Sequence, residues 1–179
     1  MISSSSFSFE CQRCGTCCRG HANGIPLFIT DMQRLSRYLG YSVEQFLLKF
    51  CSFRLLQNRE GRLPILLLRQ QQDQCPFLRQ SICMVHRHKP YLCRNAPVVS
   101  VLFENAHLMR AFKEKCPGFN QGKVISAEEI QSRLQQEWEM EIADKQAYQR
   151  GWYTKLVHRF GMEAQDDTAK TRRPQRQAR

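Results

Sequence analysis

Four cysteines within eight residues, Cys11, Cys14, Cys17 and Cys18, constrain this chain more than any other feature. The spacing Cys11-x2-Cys14-x2-Cys17 places three thiols on one tight loop, which suits tetrahedral zinc and also the loops that wrap iron–sulfur clusters. Gly15 and Gly20 supply the sharp backbone turns that such a loop needs. Neighbouring side chains point apart in extended backbone, so Cys17 and Cys18 reach one mononuclear ion together only with strain. Either one of them belongs to a second site, or the pair spans a polynuclear cluster.

Cys75, Cys83, Cys93 and Cys116 form a second set, with prolines directly after Cys75 and Cys116. Proline after cysteine recurs in iron–sulfur ligation. The two sets together offer eight thiolates, enough for two tetrahedral centres, for two cubane clusters, or for one cluster with four thiols left over. Soft sulfur ligands select zinc, iron–sulfur or copper(I) over magnesium or calcium. Cys51, the ninth, stands outside the pattern at the end of an amphipathic stretch and is expected to be a packed core thiol. His21, His86 and His88 lie near the cysteines in sequence, where they either replace a thiolate or supply hydrogen bonds to the ligands. His107 and His158 have no partner that the sequence identifies.

An odd number of cysteines, crowded in this way, argues for metal ligation rather than a disulfide framework. The start Met1–Ser6 has neither a basic leader nor an apolar stretch, and the longest aliphatic run is Ile65–Leu68. A membrane-spanning helix needs about 20 apolar residues, so no span is expected and the expected compartment is the cytoplasm. Hydrophobic content of 42% with a mean hydropathy of −0.52 leaves no surplus for a core. The cysteine region is therefore expected to be a metal-nucleated domain.

The net charge of +11 is unevenly placed. Residues 1–122 carry 16 Lys and Arg against 7 Asp and Glu, whereas residues 123–179 carry 11 against 9. Arg13, Arg19, Arg79, Arg87 and Arg94 each lie within four residues of a cysteine. Cations beside thiols favour the ligating thiolate form, and compensation of bound thiolates is preferred here to nucleic-acid binding. No recognition helix with finger-type Cys/His spacing is evident, and the Arg-rich tail with Arg172, Arg173, Arg176 and Arg179 reads as a solvated segment.

The pattern predicts a small α+β fold, irregular around the metal, with short helices and hairpins and a C-terminal helical extension. Thr30 with Gln33 reads as a capping box opening a helix that Gly40 stops, and Ser42 with Gln45 opens a second. Phe53–Gln57 and Arg62–Leu68 read as a hairpin, and Val98–Phe103 with His107–Lys113 as another strand pair. Cys83, His86–His88 and Cys93 are expected on short turns. Ser126 with Glu129 caps a long helix to about Gln149, whose apolar stripe reads as Ile130, Leu134, Trp138 and Ile142. A last helical segment is expected over Trp152–Phe160. The expected organisation is a flexible N-terminus 1–8, a cysteine-cluster metal-binding domain 9–122, a helical extension 123–160 and a disordered basic tail 161–179. Trp138, Trp152 and Tyr153 would pack the extension back onto the cluster domain or dock a protein partner.

The string Phe9-x-Cys11-x2-Cys14-Gly15-x-Cys17-Cys18-x-Gly20 is followed by Cys75-Pro76-Phe77-Leu78 and Cys83, then by Lys89-Pro90-x2-Cys93-Arg94 and Cys116-Pro117-Gly118. This constellation resembles the YkgJ-type cysteine-cluster proteins, described as zinc- or iron-chelating domains, over about residues 7–122. The resemblance implies that Cys11, Cys14, Cys17, Cys18, Cys75, Cys83, Cys93 and Cys116 form the metal-binding set. The family often has Arg-Pro where this chain has Lys89-Pro90, and an aromatic residue where Ala96 precedes Pro97. The leading expectation is a cytoplasmic protein chelating an iron–sulfur cluster or zinc, with a structural and redox or electron-transfer role. The same signature is similar to that of flagellin lysine-N-methylases, but those proteins are longer and this chain has no Gly-x-Gly-x-x-Gly stretch. Enzymatic activity is therefore the lesser alternative, followed by a zinc module binding nucleic acid.

Overall fold

The computed structural model describes residues 6–20, 24–58, 61–151 and 165–166. Strand β1 (Phe7–Phe9) leads into the first cysteine loop, which ends in a 3₁₀ turn over Thr16–Cys18. There follow β2 (Ile25–Pro26), α1 (Ile29–Tyr38), α2 (Val43–Phe50), β3 (Cys51–Asn58) and β4 (Gly61–Leu68). A small hairpin, β5 (Leu78–Arg79) and β6 (Ile82–Cys83), precedes a 3₁₀ turn over His86–His88 and the short helices α3 (Tyr91–Asn95) and α4 (Ser100–Phe103). Then come α5 (Ala106–Lys115), β7 (Phe119–Ile125), α6 (Ala127–Gln149) and β8 (Gln165–Asp166). This is the α+β arrangement that the sequence predicts.

Local rules explain most of these elements. In α2 the Ser42 hydroxyl accepts from the Gln45 N–H at 3.1 Å, and the Gln45 side chain accepts from the Ser42 N–H at 2.9 Å, so this capping box forms as expected. The first helix begins one residue earlier than its expected cap at Thr30. Phe28 is the cap position, and Asp31 reaches back to accept from its N–H. At the far end Gly40 takes a positive φ of 72°, the Gly40 N–H bonds the Arg37 carbonyl, and the Tyr41 N–H bonds that of Ser36. That pair of bonds is a Schellman stop, so glycine ends this helix as read.

The hairpin β3–β4 pairs in register from Cys51↔Leu68 to Asn58↔Gly61, longer than expected, and stands in a sheet of order β2-β4-β3-β8. Its core-facing side holds Phe53, Leu66 and Leu68, which pack with Met32, Leu35, Phe46, Leu47 and Phe77 in the main apolar core. Cys51 lies in this core as expected of a packed thiol, and burial pushes its ionisation up to about 12. A second, smaller core joins Val98, Ile125 and Ile130 beneath the antiparallel pair β1–β7.

Other local expectations fail, and Cys83, expected on a turn, lies on β6. Val98–Phe103 and His107–Lys113 are not a strand pair but lie in and around helices α4 and α5. The residues between them act as a helix cap rather than a hairpin turn: the Asn105 carbonyl Oδ1 accepts from the N–H groups of His107 and Leu108, each at 3.1 Å. Cys93 likewise sits on a helical turn, within α3, rather than on an open one.

The long helix forms over the expected residues, with Ser126 Oγ accepting from the Glu129 N–H at 3.2 Å. Its packed face keeps Ile130 and Leu134 of the expected stripe, which join the second core, but departs from it at Trp138. An i, i+4 series drifts about 40° per step on a helix of 3.6 residues per turn, so Trp138 is rotated about 80° from Ile130. Trp138 is accordingly 56% exposed, whereas Ile130 and Glu137 are buried. The face that stays aligned runs through Ile130, Glu137, Asp144 and Tyr148. It anchors the helix largely through polar contacts: Ser100 donates to Glu137 from its N–H at 3.0 Å and its hydroxyl at 2.7 Å, and the Ile29 N–H donates to Asp144 at 2.9 Å. The Tyr91 hydroxyl donates to the Arg133 carbonyl at 2.7 Å, and Tyr148 packs on the main core. The expected helix over Trp152–Phe160 and most of the tail 161–179 lie outside the described residues, as do His21 and His158.

Candidate metal centre

The fold brings four separate segments to one place. Pairing of β1 with β7 sets Phe9 opposite Phe119, and the Glu10 N–H bonds the Gly118 carbonyl at 3.0 Å, which holds the Cys11 loop beside Cys116 at the end of α5. Gly118 is required here by contact: a Cβ on it would stand 2.4 Å from the Glu10 carbonyl oxygen. The Cys75 N–H donates to the Cys18 carbonyl at 2.8 Å, tying the first loop to the second cysteine set. Cys83 is carried on β6, paired with Leu78, and Cys93 on α3.

Asp31 positions α3 and was not singled out in the sequence. Fully buried, it accepts from the Tyr91 N–H through both carboxylate oxygens at 3.0 Å and pairs with Arg34 at 2.7 Å. Arg34 continues to the Lys89 carbonyl at 2.6 Å. Burial pushes the Asp31 carboxyl upward, against the Tyr91 N–H and the Arg34 charge, which pull it down. An aspartate at the third position of α1 was the available signal; its second partner, 60 residues away, was not legible.

Inside the loop, Gly15 takes φ 73° and caps the 3₁₀ turn, with the Cys18 N–H bonding its carbonyl at 3.1 Å. Cys11, Cys14, Cys17, Cys18, Cys83, Cys93 and Cys116 all line a single cavity of about 60 Å³. One water needs roughly 10–15 Å³ by this measure, so there is room for more than one small ion. Cys75 is buried and is not among the lining residues, although its thiol interacts electrostatically with Cys83 and Cys17. Among the described residues no group of three or more His, Cys, Asp or Glu side chains is arranged as a ready metal-holding set, and all nine cysteines are free thiols.

The donors fit a thiophilic metal. Among the described residues no carboxylate lines the cavity. The thiols push one another's ionisation up. Burial raises Cys93, helped by Cys17, Cys75, Asp31 and Cys83, and the hydrogen bond between Cys17 and Cys18, then burial, raises Cys17. Burial takes Cys75 up to about 11 and raises Cys83 and Cys116. A bound cation reverses this order, because it favours the thiolate over the thiol.

The basic residues divide into two kinds. Lys89 Nζ lies 3.4 Å from Cys11 Sγ and lowers the ionisation of Cys17 and Cys83. Arg19 instead bonds the Gly15 carbonyl and Ser81, Arg79 bonds the carbonyls of Pro76 and Leu78, and Arg94 lies over the Tyr91 ring. Part of the expected charge compensation remains: Arg13 and Arg94 line the cavity with Lys89, and the Arg79 charge pulls the Cys75 ionisation down, while Arg19 and Arg79 also hold backbone. His88 stacks on Tyr38 at 3.9 Å, and His107 is exposed on α5. His86 lines the cavity, and burial with the charges of Lys89 and Arg13 lowers its ionisation.

A small α+β fold with seven cysteines around one cavity defines a thiol-rich metal-chelating class. The chain belongs to the CxxCxxCC family, "putative zinc- or iron-chelating domain", whose model matches residues 10–117. The match spans all eight cysteines expected as ligands. No solved structure matches the chain. Among the described residues no helix is long and apolar enough to cross a membrane.

Proposed function

We propose that this protein is a cytoplasmic metalloprotein whose cavity cysteines hold an iron–sulfur centre that both fastens the fold and exchanges electrons. The observation that carries this reading is the convergence of seven thiols from four segments on one cavity. A single tetrahedral ion takes four ligands, so this supply suits a polynuclear centre better than one zinc. Cys17 and Cys18 both line the cavity, as a polynuclear centre requires of adjacent residues. When bound, the group supplies one-electron chemistry. The protein's part is to gather the sulfurs, to place Lys89 against their charge and to close the centre with the pairing of β1 and β7.

Anaerobic purification followed by metal and acid-labile sulfide analysis, with a visible spectrum, tests the proposal. Iron with sulfide and a broad band near roughly 400 nm is the expected result. Colourless protein with stoichiometric zinc would replace the redox role with a structural one. Folded protein with neither metal would refute metal binding in this chain.

A further inference from the structure

We propose that His86 is a metal ligand of this centre, donating through Nε2 beside the cavity thiolates; the inference rests on the metal-binding reading above. His86 Nε2 is buried and has no hydrogen-bond partner, and His86 is among the residues that line the same cavity as the seven thiols. A buried nitrogen left unpaired is costly, so its position calls for a partner that it meets.

The turn that carries it is held from several sides. Val85 is buried in the main core, the Met84 N–H bonds the Phe77 carbonyl at 2.9 Å, and the His88 N–H bonds that of Val85 at 2.8 Å. His88, two residues on, is stacked against Tyr38. The two histidines of one turn thus have different uses, and only His86 lines the cavity. Neutral imidazole is a ligand for both zinc and iron, alone or mixed with thiolates.

The test is X-ray absorption at the edge of the metal found in the anaerobically purified full-length protein. Expected is a nitrogen scatterer at about 2.0–2.1 Å beside sulfurs at about 2.3 Å for zinc, with a corresponding mixed shell for iron. In His86→Ala the nitrogen contribution disappears and metal is lost to a competing chelator at least tenfold faster. His86→Cys restores retention with an all-sulfur shell. An all-sulfur shell in the unsubstituted protein, or a His86→Ala shell unchanged from it, overturns the assignment while leaving metal binding in place. Protein purified without metal overturns both readings.

Discussion

Asp144 offers a quantitative test of how the long helix is fastened to the cysteine region. Its carboxylate accepts the Ile29 N–H at the start of α1, at 2.9 Å, and its ionisation is raised from 3.8 to about 6. Burial is the main cause, with Asp31 and Glu141 adding repulsion and the Ile29 N–H working against them. At 1.36 kcal/mol per pH decade the full shift corresponds to about 3 kcal/mol. The side chain is half-buried, so solvent screening reduces this to about 1 kcal/mol. The sign follows from linkage. A carboxyl with a raised folded pKa contributes stability that is fully present below about 3.8 and is lost as pH rises through about 6. Asp144→Asn keeps an acceptor for the Ile29 N–H but cannot ionise. Urea denaturation of both proteins, followed by circular dichroism between pH 4 and 7, should show the variant gaining about 1 kcal/mol relative to the original across that window. Taking the difference between the two proteins removes titrations they share, the cysteines included. A difference that stays flat with pH would refute the account of this contact.

Three further outcomes follow from the same structure. Asp31→Ala leaves the buried Tyr91 N–H without its acceptor and removes the pair with the half-buried Arg34, and should cost about 1–3 kcal/mol in denaturation while loosening metal retention through α3. Gly118→Ala forces a Cβ against the Glu10 carbonyl and should destabilise by about 1–3 kcal/mol, with faster metal loss because Cys11 and Cys116 are moved apart. Cys51→Ala should leave metal per chain unchanged and cost only about 1–2 kcal/mol, since that thiol sits in the apolar core; a drop in metal content would place Cys51 in the centre.

Both readings of helix caps at α2 and α6 were legible because a capping side chain and the N–H it meets are three residues apart, within reach of any sequence window. The strand pair assigned around Glu104–Ala106 failed for a local reason as well. Three β-branched residues, Val98, Val99 and Val101, resemble a strand, and the Asn105 side chain instead caps α5. The stripe on α6 held at Ile130 and Leu134, which join the second core, and failed at Trp138, because rotation along the helix brings Glu137, Asp144 and Tyr148 to the packed side instead.

By itself the sequence determined the chemistry: soft sulfur donors in two sets, a family of metal-chelating domains, and an α+β chain with little apolar surplus. Ligand type is a property of side-chain atoms and close spacing, so it survives without coordinates. Tertiary structure decided which donors share a wall. Cys75 is absent from the cavity lining, Lys89 meets the Cys11 thiol, and His86 is a lining residue with an unpartnered nitrogen. Those outcomes depend on contacts such as Asp31 with Tyr91 and Glu10 with Gly118, which join residues 60 or more positions apart. No short-range pattern encodes them, because they are fixed by how buried polar groups find partners once the cores have packed.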